Sequence, residues 1–442
     1  MAVLSRARAR ASLHARLLAA GLLMSAVMWP TAGYAQGTTV KLGIVSFLTG
    51  PAAGPFGIPG RNAAEVIIEA MNAGQIPAPY NSAGLGGAKV ETKYLDESGS
   101  TATQVTEFRN LVQRDGVDAV VGYISSGNCL AVAPAAEELK ALTVFFDCGT
   151  PRIFEERPWK YVFRPTPHAT MDNVAAARYA LRKYPNLSSY SGINQNYAWG
   201  QDSWRDFVLA MKALAPKATV EKELFPKLFA GEYGAETTAL LTTGSQIVHS
   251  SFWDGDLESF ILQSSARGLA QRMTLLLTAG ETAMFRLGAR MPDGTLIGAR
   301  GPHGVMAPDT ELNRWFRKIY EDRFATPPTY PAYHMAQALF GLKASWDKAA
   351  VDKGGRQVTI DDVIAAFEGL EFEGPSTKIR MAIGHGHQGI SDIAYGTYRF
   401  NKAEGRAELI DVVRYPAGCV NPPMDMTSQA WLEKGMPGAK CD

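Results

Sequence analysis

From residue 40 onward the chain alternates short apolar runs with longer stretches in which apolar side chains return every three or four positions. The first pattern predicts buried strands, and the second predicts helices with one face turned inward. Residues 40–45 read as a strand ending at Ser46, followed by a Gly/Pro-rich loop through Gly60. Ala63, Val66, Ile67 and Ala70 then hold the i, i+3, i+4, i+7 stripe of an amphipathic helix. Residues 89–95 form a second predicted strand, and 101–113 a helix with Val105, Phe108 and Val112 on one side. Residues 118–123 are nearly all apolar, as a strand covered on both faces should be. A helix over 129–139 and a fourth strand over 141–146 complete this half.

The rhythm then recurs. Residues 188–193 read as a strand in spite of three serines, and a loop over 194–200 leads to a helix over 202–214 with Phe207, Ala210, Met211 and Leu214 toward one side. Residues 245–252 and 273–278 are two further strands. Between the halves, 151–168 carries four prolines, which suits a crossover, and a second break falls at Gly301-Pro302-His303-Gly304. Residues 309–322 and 333–350 read as long helices, and the last 60 residues are strand-like and rich in loops. A β-α-β-α order predicts a parallel doubly wound α/β sheet. At 442 residues the chain exceeds what one hydrophobic core spans, so two domains are expected.

The first 35 residues stand apart. Arg6, Arg8, Arg10 and Arg16 precede a mostly apolar run over 17–29, and Gly33-Tyr34-Ala35 places small residues where a signal peptidase reads. This predicts an export signal cleaved after Ala35 and a periplasmic protein. No later segment reaches eighteen uninterrupted apolar residues, which predicts a soluble mature chain. The four arginines leave 40 basic against 43 acidic side chains in the mature chain, a formal −3, so no basic field is left to hold nucleic acid. All four cysteines, Cys129, Cys148, Cys419 and Cys441, lie in the exported part, where disulfides form. Three pairings are possible. Proximity favours Cys419 with Cys441, and Cys129 and Cys148 both fall beside strand ends. Paired structural roles, free buried thiols and a reactive thiol all stay open.

Parallel α/β sheets put ligands at the carboxyl ends of their strands. In the first half these positions hold Thr49-Gly50-Pro51 and Phe56, then Ser125-Ser126-Gly127-Asn128 leading into a helix, then Asp147-Cys148-Gly149-Thr150. In the second half they hold Tyr197-Ala198-Trp199-Gly200, Phe252-Trp253-Asp254-Gly255-Asp256 and Ala279-Gly280-Glu281. The first set offers hydroxyls and the N–H groups of a helix start, which favour an anion such as a carboxylate. The second offers two indoles and an acid able to pair with an ammonium group. Together they suit a small zwitterion or carboxylate held between two lobes. Each residue also has a plainer use: Ser126 and Asn128 as helix caps, Thr150 in a turn, Trp199 and Trp253 as packing anchors, Glu281 as a solvated loop acid.

These segments resemble the leucine/isoleucine/valine-type binding proteins of ABC importers, the type I periplasmic binding proteins. The resemblance rests on residues 40–44 with 48–53, on 60–65 and 69–74, on 116–122 and 133–138, and on Tyr161-Val162-Phe163-Arg164. It covers about 40–210 closely and runs more loosely to about 400. It implies two Rossmann-like lobes with parallel-rich sheets, joined by a three-segment hinge: 36–165 plus 306–380, and 166–305 plus 381–442. It implies that Ser126 and Thr150, with Ser125, Asn128, Cys148 and Gly149 around them, hold the ligand's carboxylate. Phe56, Trp199 and Trp253 would form its walls, and Glu281 would take its ammonium group. The implied partners are a small-molecule ligand (an amino acid, an amide or an aromatic carboxylate) and an inner-membrane ABC permease, the protein acting as a monomer without a cofactor. The Cys148-Gly149-Thr150 turn, the two indoles in place of tyrosines and the long tail beyond about 415 depart from the family pattern.

An enzyme is the rival from another class, with His385 and His387 in Gly384-His385-Gly386-His387, and His303, as its best support. A metal site needs three or four converging ligands. No Gly-x-Ser-x-Gly elbow or phosphate loop is present. A ligand-sensing ectodomain sharing the fold is the second rival.

Overall fold

The structure is a computed structural model that describes residues 39–354 and 356–441. The expected export signal at 1–35 lies outside the described residues. The first sheet contains β1 (Thr39–Ser46), β2 (Lys89–Asp96), β3 (Ala119–Gly122), β4 (Leu142–Phe145) and β5 (Val162–Phe163), in the order β2-β1-β3-β4-β5. All its pairings are parallel. Every residue of β3 and β4 is buried, because helices cover both faces. Gly43 allows one close approach: a Cβ there would lie 2.5 Å from Leu111 of the helix Thr101–Gln113.

The second sheet contains β6 (Ser189–Ile193), β7 (Thr219–Leu224), β8 (Ile247–Ser250), β9 (Thr274–Leu277) and β10 (Leu296–Gly298). A small antiparallel sheet follows, β11 (Glu371–Glu373), β12 (Lys378–Ile383) and β13 (Gln388–Ile390). The chain then returns to the second sheet as β14 (Ile393–Asn401) and β15 (Arg406–Tyr415), giving the order β15-β14-β10-β9-β8-β6-β7. Parallel pairing runs from β7 to β10, and β14 and β15 join antiparallel. The serines of β6 are accommodated because they bond sideways: Ser191 Oγ lies 2.7 Å from Ser245 Oγ, and Ser189 Oγ donates to the carbonyl of Gly244.

The helices Glu311–Phe324 and Tyr330–Lys353 return to the first sheet, and Phe316, Tyr320, Tyr333 and Phe340 share a core with Leu42, Ile44 and Val144. Each sheet with its helices forms one lobe. Arg164, just past β5, pairs across to Gln388 of β13, its Nε donating to Gln388 Oε1 at 2.5 Å, so two of the chain passages between lobes are tied side by side.

Several boundaries differ from expectation for local reasons. The helix expected at 202–214 starts at Ala198, so Trp199 and Gly200 belong to its first turn. The helix expected at 333–350 spans Tyr330–Lys353, with Pro331 in its first turn and Gly354 in the left-handed conformation just past its end. The edge strand β7 escapes a hydrophobic pattern because four of its six residues are exposed and none is buried. Both cysteine pairs are disulfides, Cys129–Cys148 and Cys419–Cys441.

Candidate functional site

The two sheets turn the carboxyl ends of their parallel strands toward one another. The loop after β3 and the loop after β4 are locked together: Ser126 Oγ accepts the N–H groups of Gly149 (3.1 Å) and Thr150 (3.2 Å), and the Cys129–Cys148 disulfide ties the same two segments. Two accepted bonds leave the Ser126 proton to donate. Ser125 precedes the helix Ser126–Leu139, and its hydroxyl makes no capping bond. The acid at this place is the protein's own. Glu97, just after β2, accepts the N–H groups of Ile124 (2.7 Å) and Ser125 (2.8 Å) and the amide of Asn128 (3.1 Å). Burial pushes the Glu97 carboxyl up to about 8, so its charge is suppressed at neutral pH. The N–H groups of Ser126, Gly127 and Asn128, in the first turn of the helix, have no intrahelical partner by geometry.

Thr150 is committed differently. Its hydroxyl donates to Asp202 Oδ2 at 2.5 Å, a bond from one lobe to the other, and its carbonyl accepts from Arg164. Cys148 contributes a carbonyl to the same guanidinium, and its sulfur is held in the disulfide.

The aromatic residues meet across the lobes. Phe56 stands edge-on to Trp253 (centroids 5.3 Å apart) and to Tyr330 (5.5 Å), and Trp253 also meets Phe47 (5.9 Å) and Phe229 (6.0 Å). Trp199 donates its indole N–H to the carbonyl of Ser251 at 2.8 Å and lays its ring on Gly149, where a Cβ would lie 2.2 Å away. Trp199 and Trp253 stand at the starts of second-lobe helices, yet they pack into the first lobe's core. The Trp253 indole N–H is buried and unpartnered.

Arg300, just past β10, lies between these groups with its guanidinium 4.6 Å from the Trp199 ring and 5.9 Å from the Tyr330 ring. It donates to Asp147 of the first lobe (2.5 Å), to Asp172 of the second (3.1 Å) and to the carbonyl of Pro167 (2.9 Å). His334 bonds Asp147 Oδ1 and the carbonyl of Arg300. Burial pushes both carboxyls up to about 7, and Arg300 pulls against it. Glu281 is fully buried. Its Oε2 accepts the N–H of Tyr330 at 2.9 Å, its Oε1 is unpartnered, and burial pushes it up to about 8. It is therefore a buried acceptor at a helix start rather than a solvated loop acid. Tyr123, Asp254 and Arg300, each soon after a strand of this cleft, adopt left-handed backbone with φ of 72°, 56° and 49°. Such strain costs about 1–3 kcal/mol each and persists only where surrounding contacts over-determine it.

A chain of contacts runs from Ser126 through Gly149, Trp199 and Arg300 to Tyr330 and Glu281, and Phe56 and Trp253 join it at Tyr330. Ser125 and Asn128, by contrast, are held by Glu97, Cys148 by its disulfide and Arg164, and Thr150 by Asp202. Sequence reasoning passed over Glu97, Arg300 and Tyr330. The strand-end rule reaches Glu97 after β2, and it reaches Arg300 once the three-residue strand β10 is recognised. The histidines do not converge: His303 bonds Ser376, His387 bonds the carbonyl of Val162, and His385 is exposed. Among the described residues no group of three or more His, Cys, Asp or Glu side chains is placed to hold a metal, and no helix is long and apolar enough to cross a membrane.

The sequence profile of the periplasmic binding proteins matches residues 39–404. Among solved structures the chain is similar to a solute-binding protein of an ABC transporter from Rhodopseudomonas palustris BisB5, in complex with 3,4-dihydroxybenzoic acid (19% identity, 86% of this chain and 98% of that one, TM-score 0.73). It is similar to an amino acid ABC transporter substrate-binding protein from Pseudomonas fluorescens Pf-5 (19%, 88% and 98%, TM-score 0.73). It is also similar to a leucine-binding protein from Thermotoga maritima (16%, 85% and 98%, TM-score 0.68). At these identities the likeness is one of fold. No curated protein matches the chain significantly by sequence.

Proposed function

The chain belongs to the periplasmic binding protein family, and from that premise we propose that it is the solute-binding component of an ABC importer. It is exported, closes its lobes on a small carboxylate or amino-acid-like solute, and presents the closed form to an inner-membrane permease without turning the solute over. The observation that carries this reading is the meeting of strand-end loops from two sheets: Phe56 against Trp253, and Gly149 under Trp199. Hinge closure brings such loops together, and a solute that binds both lobes shifts the population toward the closed form.

In this reading the solute's carboxylate takes the hydroxyls of Ser125 and Ser126 and the helix start at Asn128. Its body lies among Phe56, Trp199, Trp253 and Tyr330, which favours a ring or a branched apolar group. The free Oε1 of Glu281 receives an ammonium group where the solute carries one, and that charge brings the Glu281 carboxyl back down. Thr150 serves closure through Asp202.

A thermal-shift panel of amino acids, short amides, benzoate and 4-hydroxybenzoate, followed by calorimetry of the hits, tests this. Binding to the native state alone raises the melting temperature. The expected result is stabilisation by a carboxylate-bearing solute with an apolar body. A hit whose affinity is unchanged in Trp199→Ala and in Ser126→Ala would refute the placement of the site.

A further inference from the structure

The family match ends at residue 404, and the chain past β15 is built onto the second lobe. Cys419, Val420, Trp431, Leu432 and Met436 share a core with Met171, Tyr190 and Phe207, and the Cys419–Cys441 disulfide closes the segment on itself. Trp431 is fully buried, so this tail is anchored. At its near end it reaches the other lobe. Glu155 lies in the segment after β4, whose neighbours Ile153, Phe154 and Trp159 pack with Val120, Phe145 and Cys129 of the first lobe. Glu155 Oε1 accepts both the N–H (2.9 Å) and the hydroxyl (2.5 Å) of Ser428, at the start of the short tail helix Ser428–Glu433. That helix lies on the second-lobe helix Ala198–Leu214, which carries Asp202, the partner of Thr150. Glu155 and Thr150 thus make two lobe-to-lobe bonds along one edge of the cleft.

We propose that the C-terminal tail is a closure strap, and that Glu155 and Ser428 are positioning residues which set how far the lobes stand closed. This rests on the two-lobe binding reading. Opening the cleft separates Glu155 from Ser428 and returns both to water, whereas Cys419, Val420 and Trp431, packed in the second-lobe core, keep the tail on its own lobe. The strap therefore adds to closure without touching the solute. Glu155 faces Ser428 from the tail, Arg205 and Asp206 from the helix Ala198–Leu214, and Arg164 just past β5. Burial is the leading influence on it and pushes its carboxyl up to about 7. A carboxyl whose affinity for protons is raised by closure favours the closed form at low pH. That contribution is complete below the ordinary carboxylate range and is lost as pH rises through about 7.

Small-angle X-ray scattering of the mature, solute-free chain between pH 5 and pH 8 tests the strap, with a thermal melt as a control for folding. The radius of gyration of the wild type should grow as pH rises. Glu155→Ala, which removes the acceptor, should be larger than wild type at pH 5. Glu155→Gln keeps a neutral acceptor and should stay at the wild-type low-pH value, with a weaker pH response. Ser428→Ala should fall between wild type and Glu155→Ala. Identical curves for Glu155→Ala and wild type would overturn the strap, and if Asp202→Ala then enlarges the particle, the two-lobe reading survives that result. A solute panel that returns no binder would sink the transport reading while leaving the scattering comparison standing.

Discussion

Trp199 lies directly on Gly149, so close that a Cβ at residue 149 would sit 2.2 Å from the indole. One residue ends a first-lobe strand loop, and the other opens a second-lobe helix. Closure therefore needs glycine at 149. Gly149→Ala should cost about 1–3 kcal/mol of overpacking. Because the clash exists only between lobes, that cost falls on closure. Solute affinity should drop roughly 5- to 150-fold, while the melting temperature without solute changes little. Calorimetry paired with a thermal melt checks both.

Glu97 satisfies two buried backbone N–H groups and the amide of Asn128. Glu97→Ala strands those donors at about 1–3 kcal/mol for each unsatisfied group. Urea unfolding should show a clear loss of stability, and Glu97→Gln, which keeps an acceptor, should recover part of it. Equal stability of the alanine variant and wild type would remove Glu97 from its positioning role.

The buried carboxyls set a direction for pH. Glu97 and Glu281 are pushed up to about 8, Asp147 and Asp172 to about 7, and Asp206 to about 6. In each case the folded state holds a proton that the unfolded chain has already released. The stabilisation is complete below the ordinary carboxylate range and is lost as pH rises through these values. Four buried histidines, His168, His249, His303 and His334, are held below their ordinary range and act with the opposite sign below about pH 6.5, so folding stability measured by urea titration should fall between pH 7 and pH 8. A flat or rising profile would contradict these burial effects.

Glu281 holds its unpartnered oxygen beside a helix start, and the proposed ammonium contact there would make its effect selective. Glu281→Gln should weaken an amine-bearing solute by roughly tenfold or more, since a bond to a charged group is worth about 1.5–3 kcal/mol. A solute without an amine should be held about as well as before. Calorimetry with one hit of each kind separates the two.

The Cys129–Cys148 bridge ties the segments that Ser126 also joins, closing a loop of sequence separation 19. The Cys129→Ala/Cys148→Ala double variant should lose about 3 kcal/mol. It should also bind its solute more weakly than that loss alone explains, because the two loops are then free to move apart. Denaturation and calorimetry on the same preparation distinguish the effects.

The α/β rhythm and five of the residues in the cleft were legible because apolar periodicity is a local property. The runs that became β3, β4, β6, β8 and β9 announced their own ends, and Ser126, Thr150, Trp199, Trp253 and Glu281 stand within a few residues of those ends. The short β10 hid Arg300, since three apolar residues carry no period. What each polar group does was not written locally. Thr150 bonds a residue 52 positions away, and Glu281 bonds one 49 away. Such partners exist only once two separate sheets are set face to face, and the long-range packing that sets them is a property of the whole chain. Local pattern was enough to say which loops stand at strand ends. Only the packing of one lobe on the other assigned their donors and acceptors, such as the Thr150 hydroxyl to Asp202 and the Tyr330 N–H to Glu281.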